Sequence, residues 1–283
     1  MTAYHRPESL DDALVLLRDG RARVAAGCTD LFPATQARRL EGEIVDITGI
    51  AGLSEIAQDP DGVRIGAAAR WSDVMRANLP GAFDMLKQAA REVGSVQIQN
   101  TGTLVGNLCN ASPAADGIPC LLALDAEVEL ASVQGRRRVA MAAFVTGARQ
   151  TARRPDELVV AVHIPARACH GASRFLKLGA RRYLVISIAM VAVRLVRDGD
   201  QVAEAAVAVG SCSAVATRLS TLEADLVGQP VTETLANAAT QTCVVSELSA
   251  IDDIRADAAY RGVAATELVR RALVDVCARE AVE

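Results

Sequence analysis

The sequence predicts a chain of mixed helices and strands arranged in two units. Three observations lead there. Its 283 residues are enough for two ordinary domains. Segments that alternate apolar and polar residues are interspersed with segments at helical spacing along the whole length. A stretch at 165–171 that opens on proline and closes on glycine then reads as a boundary, with strands on both sides of it.

In order, Ser9 reads as the N-cap of a helix whose first turn carries Asp11 and Asp12, where the helix dipole favours negative charge. Leu10, Ala13, Leu14 and Leu17 recur at helical spacing, and Gly20 stops the run. Short strands are predicted at 23–26, ending abruptly at Gly27, and at 43–47. Another is predicted at 63–67, beyond the Asp-Pro-Asp-Gly turn at 59–62. Ser72 is expected to cap a helix, and a longer helix is expected over 82–93. Residues 94–119 show no sustained period and read as an ordered irregular loop facing a ligand, because Ile98, Leu104, Val105 and Leu108 are interleaved with turn formers. Helix resumes at 120–124, with strands at 127–130 and at 158–164, the latter closed by Pro165. Beyond the boundary come strands at 174–178, 186–196 and 202–209. The last two join as a hairpin through Arg197-Asp198-Gly199-Asp200. The remainder reads as helical, including 266–279.

Hydrophobic residues make up 51% and charged residues 23%, a balance that permits a large core and argues against disorder. The net charge of −4 gives no reason to expect a nucleic-acid or acidic-membrane partner, since either would favour a basic face. Seven cysteines, none at C-x-x-C spacing, and three histidines without a zinc pattern point to buried free thiols and no metal site. Any redox chemistry therefore needs a bound organic cofactor or a partner's metal. The N-terminal run Met1 to Arg6 does not look like a signal peptide. The apolar run at 183–193 is too short to cross a bilayer as a helix. A soluble, cytoplasmic protein without membrane insertion is expected.

Three segments carry candidate chemistry. In the first, Val24, Ala25, Ala26, Gly27, Cys28, Thr29, Asp30 and Leu31, a strand ends at a glycine. Successive amides on such a bend form a concavity suited to a pyrophosphate. The second, 100–116, offers glycines, hydroxyls and amides without Lys or Arg, which suits a diphosphate held by neutral donors. Its Asp116 can accept hydrogen bonds from ligand hydroxyls or ring N–H groups. The third is Phe175 to Tyr183, where Lys177 on an apolar strand needs a negative partner or an electron-rich acceptor. Each segment read alone is also compatible with an ordinary corner, surface loop or solvent-reaching lysine.

Together the segments resemble the FAD-binding (medium) subunit of the xanthine dehydrogenase and carbon monoxide dehydrogenase molybdenum hydroxylase family. Ala26-Gly27-Cys28-Thr29-Asp30-Leu31 resembles its A-G-G-T-D-L. Gln97 to Asn100, Gly102 to Asn107 and Ala111 to Asp116 resemble its Q-I-R-N-x-G-T-I-G-G-N-x-x-x-A-S-P-A-A-D. Phe175, Lys177, Arg181 and Arg182 match F-x-K-x-x-x-R-R. Asp253, Arg255, Ala256, Ala258, Tyr260 and Arg261 match D-x-R-A-x-A-x-Y-R. Four matches in order cover nearly the whole chain.

The resemblance implies an α+β fold: a vanillyl-alcohol-oxidase (PCMH)-type FAD-binding domain over 1–167, with subdomains of about 1–55 and 56–167. A smaller α+β C-terminal domain would follow over 168–283, with a three-stranded antiparallel sheet and helices. It implies FAD held by residues 24–31 and by Thr103, Leu104, Val105, Gly106 and Asn107, with Asp116 hydrogen-bonding the cofactor. Val93, Ile164 and Lys177 would line or approach the flavin. The implied partners are a large subunit with molybdopterin and a small subunit with 2Fe-2S clusters, together with an electron acceptor such as NAD or a quinone. No catalytic residue is expected in this chain itself. The alternatives are an FAD-free assembly subunit and a stand-alone flavin oxidoreductase. Four departures stand out: Cys28 and Val105 replace glycines, Gln99 replaces an arginine, and Val185 replaces an aspartate. A Cβ at 28 or 105 either crowds the approach to phosphate or is accommodated by a negative φ.

Overall fold

The computed structural model describes residues 3–35, 40–182 and 184–280. Expectations that touch Met1, Thr2, Tyr183 and 281–283 fall outside the described residues. The chain opens with a small parallel sheet of β1 (Ala3–His5), β2 (Arg23–Ala25) and β3 (Glu43–Asp46), ordered β1-β3-β2. Helix α1 (Leu10–Leu17) crosses between the first two strands. Ser9 caps it, accepting the Asp12 N–H at 3.2 Å, and Gly20 follows it at φ +67°, as the sequence predicts.

A second, antiparallel sheet is built from β4 (Ile56–Asp59), β5 (Gly62–Gly66), β6 (Glu127–Ser132), β7 (Gly135–Ala140) and a late strand, β10. Its order is β4-β5-β10-β6-β7. Between β7 and β10 (Leu158–Pro165) a small hairpin forms from β8 (Val145–Gly147) and β9 (Gln150–Thr151). Helix α2 (Trp71–Arg76) begins one residue before Ser72, the expected cap. The N-cap is Arg70, and Asp73 in the first turn reaches back to accept the Arg70 N–H at 3.0 Å. Helix α3 (Asp84–Glu92) follows a 3-10 turn at Gly81–Phe83.

Residues 94–119 are not an irregular loop. They hold α4 (Val96–Gln99), α5 (Leu104–Asn110) and the start of α6 (Gly117–Ala123), before α7 (Met141–Phe144). Two of the Ser and Thr residues that read as loop formers are caps: Ser95 accepts the Ile98 N–H and Thr103 the Gly106 N–H.

The second part of the chain carries β11 (Ala172–Leu178), β12 (Ala189–Asp198), β13 (Gln201–Gly210) and β14 (Thr217–Arg218) in one antiparallel sheet. The sheet has four strands, not the expected three. β14 is only two residues long, too short for an alternation to show. Helices α8 (Ser220–Leu226), α9 (Gln241–Ser246) and α10 (Ala258–Glu280) complete the chain.

The long strands of this sheet are buried on both faces, and their side chains divide by parity. Met190, Ala192, Ala206 and Ala208 pack into the core of the first part. Ala189, Val191, Val193, Val207 and Val209 pack into a second core with Leu268, Val269, Leu273 and Val276 of α10. The sheet edge at β11 lies along α3. Ser173 accepts the Met85 N–H at 3.0 Å and donates to the Gly81 carbonyl at 2.8 Å. The Phe175 N–H donates to Gln88 Oε1 at 2.8 Å, and Lys177 donates to the Glu92 carbonyl at 3.3 Å. Alternate residues of the strand thus meet successive turns of the helix.

Candidate functional site: a cavity between two glycine bends and the four-stranded sheet

The bend after β2 and the bend before α5 touch. A Cβ on Gly27 would stand 2.2 Å from the Thr101 carbonyl oxygen and 2.6 Å from Gly102 Cα. Glycine at 27 is therefore required by the packing of one bend on the other, not only by access to a ligand. The second bend is pinned from behind: the Trp71 N–H donates to Gly102 O at 3.1 Å, and the Leu104 N–H to Ala69 O at 3.1 Å. Among the described residues, none accepts a hydrogen bond from the main-chain N–H of Gly27, Cys28, Thr29 or Val105. Both bends thus present main-chain donors, as an anion site requires.

These bends form part of the wall of a cavity of about 950 Å³. Val24, Ala26, Gly27, Cys28, Thr29, Asp30 and Leu31 line it from the first bend. Val93, Thr103, Val105, Gly106, Asn107, Asp116 and Lys177 also face it. Three expected residues stand elsewhere. Ala25 is turned into the core as its strand alternates, Leu104 is fully buried beneath α5, and Ile164 lies within the five-stranded sheet opposite Val63.

Cys28 adopts φ +57°, so the negative φ that would accommodate its Cβ is not what the chain adopts. Its thiol lies 3.4 Å from the Ala26 carbonyl, and burial pushes the thiol pKa up. Val105 is different. It lies in the first turn of α5 with 3% exposure and packs into the core as well as edging the cavity. Gln99, in place of an arginine, donates to the Arg91 and Val93 carbonyls at 3.1 Å, fixing the chain just after α3.

Asp116 and Lys177, 61 residues apart, meet at the cavity wall. The ammonium sits 2.9 Å from Asp116 Oδ2, and Ser187 donates to Oδ1 at 3.0 Å. Lys177 thus finds its negative partner within the chain. It also caps the last carbonyl of α3, where the helix dipole favours a cation. Burial pushes the Asp116 carboxyl up, while Lys177 and Ser187 pull it back. Asn107 Oδ1 accepts the Gly117 N–H at 3.3 Å and so ties this acid to α5.

Arginine was not anticipated here. Arg149 and Arg153, from the β8–β9 hairpin and just beyond it, reach the cavity, and Arg23 faces it as well. Arg149 donates to Asn110 Oδ1, and Arg153 to the Glu157 carbonyl at 2.7 Å. The donor set is therefore not neutral throughout. Cys109, an exposed free thiol, opens onto the same cavity. Leu184, Val185 and Ile186 close the wall from the second part of the chain. Among the described residues there is no cluster of potential metal ligands, and no helix is long and apolar enough to cross a membrane.

Comparison with known proteins agrees with this geometry. Residues 1–167 match the family of FAD-binding domains in molybdopterin dehydrogenases, and 174–276 match the CO dehydrogenase flavoprotein C-terminal domain. The chain is 32% identical to the nicotine 6-hydroxylase medium subunit of Paenarthrobacter nicotinovorans, covering 98% of this chain and 97% of that one. It is 28% identical to the carbon monoxide dehydrogenase medium chain of Hydrogenophaga pseudoflava, with 98% and 97% covered. Among solved structures it is similar to reconstituted CO dehydrogenase from Oligotropha carboxidovorans, with TM-score 0.91, 27% identity and 99% and 98% covered. Quinoline 2-oxidoreductase from Pseudomonas putida 86 gives TM-score 0.87 at 25% identity, with 98% and 97% covered. Paired bends with open amides, an acid and a lysine at one wall, and relatives matched end to end agree on one assignment: the chain belongs to the FAD-binding medium subunits of the xanthine dehydrogenase and carbon monoxide dehydrogenase family of molybdenum hydroxylases.

Proposed function

We propose that this chain is the FAD-binding electron-transfer subunit of a molybdopterin-dependent hydroxylase. The molybdopterin and 2Fe-2S centres would sit on partner subunits, and an external acceptor such as NAD or a quinone would take the electrons. The observation that carries the reading is the contact of the two glycine bends, whose unanswered amides line one cavity with Asp116 and Lys177. The residues present fit the cofactor. About 950 Å³ lies at the upper end of ligand pockets, which run to roughly 1,000 Å³, and suits a long dinucleotide.

In this reading the amides of Gly27, Cys28, Thr29 and Val105 hold the diphosphate, with Thr29, Thr103, Gly106, Asn107 and the neighbouring residues 24–31 shaping its bed. Arg149 and Arg153 add positive charge within reach of the same cavity. Asp116, Lys177 and Val93 face the redox-active ring. When bound, FAD supplies the redox chemistry. The protein holds its position and fixes the charge beside it through Asp116 and Lys177. Residues 1–167 and 168–283 act as the two domains in this proposal. The extents of the two family matches support that division.

The test is the flavin content of the whole purified chain. Flavin absorbance near one per chain, retained through gel filtration, supports the proposal. Colourless protein that ignores added FAD favours an assembly subunit. Turnover of an organic substrate by the isolated chain favours a stand-alone oxidoreductase.

A further inference from the structure

Lys177 reaches the cavity wall with its charge already answered. Its ammonium donates to Asp116 and to the Glu92 carbonyl. An ammonium has three N–H donors, so a third is available to whatever occupies the cavity. Behind the pair stands Ser187, which is 2% exposed and donates to Asp116 Oδ1. The carboxylate therefore receives a separate donor on each oxygen, one from the end of β11 and one from the segment leading into β12. Two other titratable groups face Asp116. Glu92, at the end of α3, opposes its ionisation. Cys120, whose thiol donates to the Asp116 carbonyl at 3.7 Å, is held far up by burial and stays neutral.

Resting on the FAD reading, we infer that Ser187 is a positioning residue: it keeps Asp116 ionised and aimed at Lys177, and so masks the lysine's charge from the bound flavin. With Asp116 ionised, the pair is neutral overall and Lys177 offers a hydrogen bond. With Asp116 protonated, the same wall carries a net positive charge, and a reduced, negatively charged ring is held more tightly than the oxidised one. Ser187 selects the first state. A buried carboxylate stripped of a charge-assisted hydrogen bond shifts toward its protonated form.

The experiment uses the full chain reconstituted with FAD. The flavin reduction potential is followed by spectroelectrochemistry from pH 6 to 9 in wild type, Ser187→Ala, Ser187→Thr and Asp116→Asn. Asp116→Asn should raise the potential at every pH. Ser187→Ala should match wild type at high pH and move toward Asp116→Asn as pH falls. Ser187→Thr, which restores the hydroxyl, should return to wild type. A tenfold gain in affinity for the reduced over the oxidised ring reads as about 30 mV in a two-electron couple, and a shift of that size is expected at the low-pH end. Ser187→Cys, similar in size with a weaker donor, carries the same comparison if the alanine chain does not fold. Ser187→Ala tracking wild type at all pH, or Ser187→Thr shifting as far as Ser187→Ala, would overturn the inference. A wild-type chain that takes up no FAD fails the cofactor reading instead, and that is learned before any variant is compared.

Discussion

Replacing Cys28 by glycine should make the chain more stable, and replacing it by alanine should not. Cys28 holds φ +57°, where an L-residue's Cβ crowds the following carbonyl at a cost of roughly 1–2 kcal/mol. Glycine removes that cost but frees the unfolded chain, returning roughly 0.4–1 kcal/mol. The thiol's own contact, 3.4 Å to the Ala26 carbonyl, is a weak hydrogen bond and changes the balance little. The net gain is about 0.5–1 kcal/mol. At roughly 2–4 °C per kcal/mol in chains somewhat smaller than this one, the midpoint should rise by about 1–3 °C. Alanine keeps the Cβ and loses the thiol, so it should melt at or below wild type. Thermal unfolding of the three full-length chains, followed by circular dichroism under one buffer and scan rate, decides the matter. A Cys28→Gly chain that melts no higher than Cys28→Ala would refute the strain argument. The same glycine should tighten FAD binding several-fold, read by flavin fluorescence, because it clears a Cβ from a bend that presents its amides to the cavity.

Arg261, 1% exposed, donates to the Ile188 carbonyl at 2.5 Å and to Ser211 O at 2.7 Å, and pairs with Asp253. Truncating it to alanine should cost about 3–5 kcal/mol, seen as a large fall in urea midpoint. Asp253 gives a pH signature. Its carboxyl is held down at about 2, first by the Arg255 N–H and then by the Arg255 and Arg261 guanidiniums. A depressed carboxylate contributes stability that is complete above its unfolded value, 3.8, and lost as pH falls through about 2. Asp253→Asn should therefore flatten the acid limb of a stability–pH curve between pH 4 and 2, and an unchanged limb would assign acid unfolding to other groups. Thr103→Ala removes the cap on Gly106 and should cost about 1 kcal/mol together with FAD affinity. Equal FAD binding in Thr103→Ala and wild type would separate that cap from the cofactor bed.

Much of the fold was legible because its local chemistry is strong. Ser9, Gly20 and the Arg197 to Asp200 turn mark their elements with residues that few other conformations favour. Residues 94–119 misled because helices of four and seven residues are too short to show a period, and their capping Ser and Thr are the same residues that make loops. Ser72 was a plausible cap, and the backward reach of Asp73 to the Arg70 N–H displaced it. In the site, the need of Lys177 for a negative partner was readable from its apolar strand. Its partner, 61 residues away, was not, since nothing local links a strand to a distant helix start. Arg149 and Arg153 escaped notice for a similar reason. They arrive on, and just after, a small hairpin of three- and two-residue strands, with Arg149 at φ +61°. Ser187 lies in a segment that reads as one apolar strand, where a lone hydroxyl carries no signal.

Helix α3 lies along the β11 rim of the four-stranded sheet, with Ser173, Phe175 and Lys177 fastened to it at intervals of two residues. Cutting the chain near 168 would strip that cover and leave β11 with unpaired main-chain groups along a seven-residue edge. Exposed rims of this kind recruit further strands. The C-terminal piece, expressed by itself, should self-associate and precipitate, while the same residues stay dispersed when α3 is present in the intact polypeptide.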